Sequence, residues 1–220
     1  MHIQFLSLLF FLILLLVLIG ITEGLYRYLK VSAEQSRKFL HVSGGLMCLL
    51  LPSFFTSHWE VLILASLSFL LLFITYAKEM LPSLHQTKRK SVGSVLFPMP
   101  VYLCFLIACL KDNNLFFYLP VSLLTISDTA AEIGGNKWGQ SGKQFFDSQK
   151  TLIGSLCFYI TALIVCFIWL FFIYNYPLNI IIKISLLMPL LTAVAELVTL
   201  HGWDNLTVPA VTIIILQITI

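Results

Sequence analysis

Apolar residues in this chain come in runs rather than in stripes. Eight runs can be marked, at about 3–25, 39–56, 60–77, 94–110, 115–134, 152–174, 179–200 and 205–220, with short polar loops between them. Runs near twenty residues match the length a helix needs to cross a hydrocarbon core of about 30 Å. A barrel strand is about half as long and alternates in character. The pattern predicts an all-α integral membrane protein of about eight transmembrane helices, folded as a single polytopic domain over residues 1–220.

Loop charge turns the helix count into a topology. Arg27, Lys30, Arg37 and Lys38 follow the first run, Lys78, Lys88, Arg89 and Lys90 the third, and Lys137, Lys143 and Lys150 the fifth. On the other side Lys111 lies in a loop, and Lys183 starts the seventh run, where it can snorkel. The positive-inside rule then predicts an N-terminus outside and cytoplasmic odd-numbered loops. The first run has no basic residues ahead of it and no small-residue cleavage site after Gly20, so it is expected to stay as a helix.

Composition agrees and narrows the classes. The chain is 59% hydrophobic and 10% charged, with mean hydropathy +0.97, against about 25% charged in a soluble domain. The net charge of +3 comes from orienting loops, and no nucleic-acid module is visible. Cys48, Cys104, Cys109, Cys157 and Cys166 all sit in apolar runs and read as packing residues. Trp59 and Trp169 suit interfacial belts.

The longest polar stretch runs from Ser127 to Thr151. Asp128 and Glu132 are four residues apart and share one helical face, where two carboxylates can hold a divalent cation. Gly134, Gly135, Gly139 and Gly142 let backbone N–H groups turn toward an anion, and Lys137, Lys143 and Lys150 add positive charge. These residues read as a nucleotide–metal site at a membrane surface; the plainer reading is a loop whose lysines fix topology. The strictly apolar part of the fifth run, 115–126, gives only about 18 Å of helix. To span, the helix must carry Asp128 and Glu132 into the membrane, where ionised groups face protein or water.

Glu196 is the only acid in the seventh run, and a lone intramembrane carboxylate is a functional hypothesis by default. Asp204 or Asn205 can instead cap the last helix, with Pro209 in or near its first turn. In the first loop, Arg37, Lys38 and His41 can be grouped by a helix, ahead of Gly44 and Gly45. Arg89 and Lys90 are read as a lipid-facing patch or as contacts to a nucleotide tail.

Four segments on the side called cytoplasmic resemble the polyprenol kinase family, which takes in phytol kinases, dolichol kinases and CTP-dependent diacylglycerol kinases of the yeast type. Arg-Lys-x-x-His-x-x-x-Gly is present as Arg37, Lys38, His41 and Gly45, and Gly-Ser-x-x-Phe-Pro as Gly93, Ser94, Phe97 and Pro98. Asp-x-x-Ala-x-x-x-Gly…Gly is Asp128, Ala131, Gly135 and Gly139, and Lys-Thr-x-x-Gly-Ser is Lys150, Thr151, Gly154 and Ser155. The late Glu and Asp-Asn-x-x-x-Pro are Glu196, Asp204, Asn205 and Pro209. The resemblance covers 37–220 and leaves the first helix and loop, 1–36, outside. Ser127 stands where the family usually has Gly, and Asn136, followed by Lys137, where it has Arg.

The resemblance implies transfer of the γ-phosphate of CTP to the hydroxyl of a membrane isoprenoid alcohol or diacylglycerol. Mg²⁺ would be held first by Asp128, with Glu132 or Asp204 assisting. Arg37, Lys38 and Lys150 would neutralise phosphates, Thr151 and Asn205 would join the nucleotide site, and a turn over Gly134–Gly139 would cradle the phosphates. His41, Glu196 and Asp128 are candidate general bases. The expected location is a bacterial inner membrane with the site facing the cytoplasm and the alcohol's tail between helices. Phosphatidate cytidylyltransferases have a similar loop, and a CDP-lipid synthase is the alternative enzyme. An ion-coupled transporter using Asp128, Glu132 and Glu196 is the rival from another class.

Overall fold

A computed structural model describes residues 5–85, 92–139, 150–200 and 202–220. The calls on His2, Lys88, Arg89, Lys90, Gly142, Lys143 and His201 lie outside the described residues. The described residues form helices and no strand. In chain order they are α1 Phe5–Arg27, α2 Ala33–Cys48, α3 Leu51–Phe54, α4 His58–Ala77, α5 Pro82–His85, α6 Gly93–Leu96 and α7 Pro98–Lys111. Next come α8 Leu115–Ser122, a π-helical stretch Leu123–Ser127, α9 Asp128–Trp138, α10 Leu152–Phe167 with a π-helical end Ile168–Ile173, α11 Leu178–Val198 and α12 Asp204–Thr219.

Five of these segments are long and apolar enough to cross a membrane by length and composition: Phe5–Arg27, His58–Ala77, Gly93–Lys111, Leu152–Ile173 and Leu178–Val198. Their outward faces are apolar. Leu6, Leu9, Phe10, Ile13, Leu16 and Val17 on α1 are all exposed, a surface suited to lipid and not to water. The described residues make an all-helical protein with the surface of a membrane protein.

The sequence places local signals at several helix ends. Ser32 caps α2 by accepting from the Gln35 N–H at 3.3 Å, and Thr151 caps α10 by accepting from the Gly154 N–H at 3.1 Å. Asp112 ends α7 in the left-handed region, at φ 47°.

At the centre stands α8. Leu115, Phe116, Phe117, Leu119, Pro120, Val121 and Ser122 are all buried, so no face of it meets lipid. It packs on α2, α7, α10 and α12. Trp169, near the end of the α10 span, packs against this core. Its indole N–H donates to Ser122 Oγ at 3.0 Å and its ring stacks on Tyr118 at 4.8 Å, because a half-buried indole must find an acceptor. Cys48, Cys104 and Cys166 are buried free thiols, in keeping with a packing role.

Small residues bring α9 and α10 together. A Cβ on Gly154 would lie 2.8 Å from the Ala131 carbonyl oxygen, and one on Gly139 would lie 2.5 Å from both the Gly135 carbonyl oxygen and Thr151 Oγ1. The close approach requires glycine. Gly154→Ala is expected to cost about 1–3 kcal/mol, the usual range for overpacking; thermal unfolding in detergent reads this out.

Candidate active site

Helix α2 presents Arg37, Lys38 and His41 on one face, one turn apart, as a helix started by Ser32 requires. Opposite it, α8 runs through the π-helical stretch into α9, which opens with Asp128. Such π turns often sit at functional sites, where they re-aim the side chains that follow. His41 Nε2 donates to the Leu124 carbonyl in that turn at 3.0 Å and lies 3.8 Å from Asp128 Oδ2. Its ring meets Phe97 edge-on at 5.1 Å.

Glu132 shares the face of Asp128 but has its own partners. Its Oε1 is 3.1 Å from Arg37 Nη2 and 3.5 Å from Lys38 Nζ. Expected above to assist a metal, it instead pairs two cations of α2 with α9.

The third contribution comes from the far end of the chain. Lys150, just ahead of α10, places Nζ 2.8 Å from Glu196 Oε1 on α11 and 2.8 Å from Asp204 Oδ2 at the start of α12. It also donates to the Glu196 backbone carbonyl. Ser155 Oγ donates to Glu196 Oε2 at 3.3 Å. Burial pulls the Lys150 ammonium toward neutrality, but the Asp204 and Glu196 carboxylates outweigh it and hold its pKa above the ordinary lysine value.

Asp128, Glu196 and Asp204 each turn one carboxylate oxygen to a common point, with the three oxygens within 4.8 Å of one another. This is a set of hard oxygen donors at a spacing one divalent cation can bridge. Asp204, at the start of α12, accepts from the Asn205 backbone N–H through Oδ1 at 3.0 Å and from Lys150 through Oδ2. Asn205 turns elsewhere: its Nδ2 donates to the Gly93 carbonyl at 2.7 Å, tying α12 to α6. Pro209 lies beyond the first turn, inside α12. Gly202, at φ 90°, makes the turn that brings Asp204 back to Lys150, a backbone region open to glycine at little cost.

The expected turn over Gly134–Gly139 is also corrected. Helix α9 continues to Trp138, so Gly134 and Gly135 are helical residues. A Cβ on Gly134 would strike the Cys157 side chain. The glycines serve helix packing, and Gly135 faces the site. Lys137 is exposed, with Nζ 5.2 Å from the Trp138 ring centroid, and does not line the cavity.

The charged and polar groups described above, Lys137 apart, line one cavity of about 430 Å³, with Gly135 beside them and Gly134, Gly139 and Pro209 outside it. Arg37, Lys38, His41, Asp128, Glu132, Lys150, Thr151, Glu196, Asp204 and Asn205 form its polar end. Leu40, Met47, Leu51, Val61, Leu64 and Leu72 are among the residues of an apolar arm. Ser94 also lines it; the sequence placed it in a motif without giving it a role. Its hydroxyl and Arg37 Nε are buried with no hydrogen-bond partner among the described residues. Both atoms belong to residues that line the cavity and are therefore free to meet a group bound in it.

No family model and no solved structure matches the chain. One curated protein does: the chain is 24% identical over 192 residues, 86% of its length and 81% of the relative's, to a protein named phytol kinase from Synechocystis sp.. The match supports membership of the polyprenol kinase family.

Motif residues that carried the resemblance to polyprenol kinases converge on the cavity from separate helices. Gly93, Phe97, Pro98, Ala131, Gly154 and Ser155 line it beside the charged groups. Gly45 lies behind it, packed on Thr125, whose side chain a Cβ would overlap. If Glu132 positions cations, Glu132→Gln should raise KM for an anionic substrate bound by Arg37 and Lys38 about tenfold with kcat little changed. A collapse of kcat with altered metal dependence would return Glu132 to the metal set.

Proposed function

We propose that the chain is a lipid-alcohol kinase that moves the γ-phosphate of CTP to the hydroxyl of a membrane lipid alcohol. One observation carries the proposal: three converging carboxylates, the cations Arg37, Lys38 and Lys150, and an apolar arm share one cavity. The phytol kinase relative supports the reading, and CTP as donor rests on the family resemblance.

Asp128, Glu196 and Asp204 would hold a divalent cation such as Mg²⁺, and their all-oxygen donor set fits it. Bound there, it would offset the charge on the transferring phosphate. The protein's own groups do the rest. Arg37 and Lys38 neutralise the nucleotide phosphates, held in place by Glu132. Lys150 keeps Glu196 and Asp204 together and offers a further positive charge. In the transfer, the alcohol oxygen bonds to the γ-phosphorus as its bond to the β-bridging oxygen breaks, and CDP leaves. The hydroxyl proton goes to the Asp128 carboxylate or to the His41 nitrogen not committed to Leu124. In this reading the chain crosses the membrane eight times with its N-terminus outside, and the polar end of the cavity opens to the cytoplasm.

The test uses purified protein in vesicles holding a prenol, diacylglycerol and phosphatidate, with Mg²⁺ and CTP labelled at the α- or the γ-phosphate. Lipid labelled only from the γ-position supports the kinase. Lipid labelled from the α-position means a CDP-lipid synthase and overturns it.

A further inference from the structure

The hydroxyl side chains that line the cavity are nearly all in use. Ser68 donates to the Leu64 carbonyl at 2.8 Å and Thr129 to the Thr125 carbonyl at 2.7 Å. Thr151 caps α10, Ser155 holds Glu196, and Thr199 donates to the Ala195 carbonyl. Ser94 is the exception: its Oγ is buried and has no partner among the described residues. Its place in the chain explains this. A serine inside a longer helix can turn its hydroxyl back to the carbonyl one turn earlier. Ser94 is the second residue of the one-turn helix α6, so no helical carbonyl stands behind it.

Contacts to the polar end of the cavity fix α6 at both ends. The Gly93 carbonyl accepts from Asn205, the neighbour of Asp204, at 2.7 Å. Phe97, just past the last residue of α6, meets the His41 ring edge-on. Four helical residues span about 6 Å, so Ser94 stands within a turn of both contacts. The same short helix packs on α4, which supplies Val61, Leu64 and Leu72 to the apolar lining. Helix α6 therefore joins the polar end of the cavity to its apolar wall, and Ser94 carries an uncommitted hydroxyl at that join. A molecule with an apolar tail and a polar head puts its head at such a boundary.

We infer that Ser94 holds the acceptor: its hydroxyl donates a hydrogen bond to the oxygen of the lipid alcohol. An alcohol oxygen has one proton and two lone pairs. In the transfer proposed above, the proton goes to Asp128 or His41 and one lone pair goes to phosphorus. The second lone pair is left for a donor, and Ser94 supplies one without adding charge. The inference rests on the lipid-kinase reading and adds to it a residue that reads the acceptor's head, whatever its tail.

Ser94→Ala is expected to raise KM for the lipid alcohol about tenfold, the scale of one net hydrogen bond, with KM for CTP within about twofold. Ser94→Thr keeps the hydroxyl and should stay within about threefold of the wild type. The assay uses γ-labelled CTP, Mg²⁺ and vesicles holding a prenol or diacylglycerol, with thermal unfolding in detergent beside it. Should Ser94→Ala not fold, Ser94→Cys, a weak donor of similar size, takes its place. A KM that rises for CTP and holds for the alcohol makes Ser94 a phosphate contact and overturns the inference. Both KM values unchanged, or both raised with a lower melting temperature, overturn it too. Binding of the tritiated lipids without nucleotide reads the same contact without turnover. Binding about tenfold weaker to Ser94→Ala than to the wild type supports the inference, and equal binding, or none to either, overturns it. If the wild type phosphorylates no lipid, the kinase reading fails, and the binding comparison alone decides on Ser94.

Discussion

Asp128→Asn is expected to lower kcat/KM for phosphoryl transfer at least about a thousandfold while leaving the protein folded, the scale of losing a preorganised charge at a transition state. The substitution keeps size and shape. It replaces an oxygen donor with an amide N–H that repels a cation, and it removes one of two groups able to take the alcohol's proton. Stability should not suffer. The His41 ring nitrogen lies 3.8 Å from Asp128, too far for a firm bond, while Glu196 and Asp204 crowd it with like charge. Removing that charge relieves repulsion, so the melting temperature should hold or rise slightly. Transfer of γ-label in vesicles and thermal unfolding in detergent read the two effects separately. A variant within tenfold of wild-type turnover removes Asp128 from the chemistry.

Much of the scaffold was legible because lipid imposes length. The run read at 179–200 is α11, Leu178–Val198, and that at 152–174 is α10 with its π-helical end, Leu152–Ile173. Apolar runs of this kind report helices directly, since backbone groups in hydrocarbon must pair within the segment. Grouping Arg37, Lys38 and His41 also succeeded, because it needs only helical geometry. Pairings between distant segments were harder to see. Lys150 meets Glu196 and Asp204 across 46 and 54 residues of chain, and nothing local in Asp204-Asn205 separates a cap from a tertiary partner. Glu132 was read with its helical neighbour Asp128, but its partner Arg37 lies 95 residues earlier, on α2, with Lys38 beside it. The glycines at 134 and 135 misled for a related reason. Glycine permits a turn, but it also permits close helix contact, and the bulk of Cys157 on the facing helix decides for contact. The short helices α5 and α6 and the π turn ahead of Asp128 left no periodic signal, being a turn or so long.

Lys150→Met is expected to be the most destabilising change at the site. Met keeps most of the stem's volume, so the loss is electrostatic. Without the ammonium, Glu196 and Asp204 lose a partner at 2.8 Å each, and their carboxylate oxygens remain within 4.8 Å of a third on Asp128. The side chains are 16%, 7% and 14% exposed for Lys150, Glu196 and Asp204, too little for water to replace the lost charge. Breaking such a pair from one side costs about 3–5 kcal/mol. A divalent cation is the natural remedy. If the three carboxylates form a cation site, Mg²⁺ should raise the melting temperature of Lys150→Met more than that of the wild type, because no ammonium competes for the same oxygens. Activity should stay low even in saturating Mg²⁺, since the variant also lacks the positive charge that Lys150 offers to phosphate. Thermal unfolding across a Mg²⁺ titration, with Ca²⁺ as a second hard cation, makes the comparison. Equal stabilisation of both proteins would mean that ammonium and metal do not share the carboxylates. The cation site would then have to be sought elsewhere in the cavity, with Lys150, Glu196 and Asp204 serving as a clasp that holds α10, α11 and α12 together.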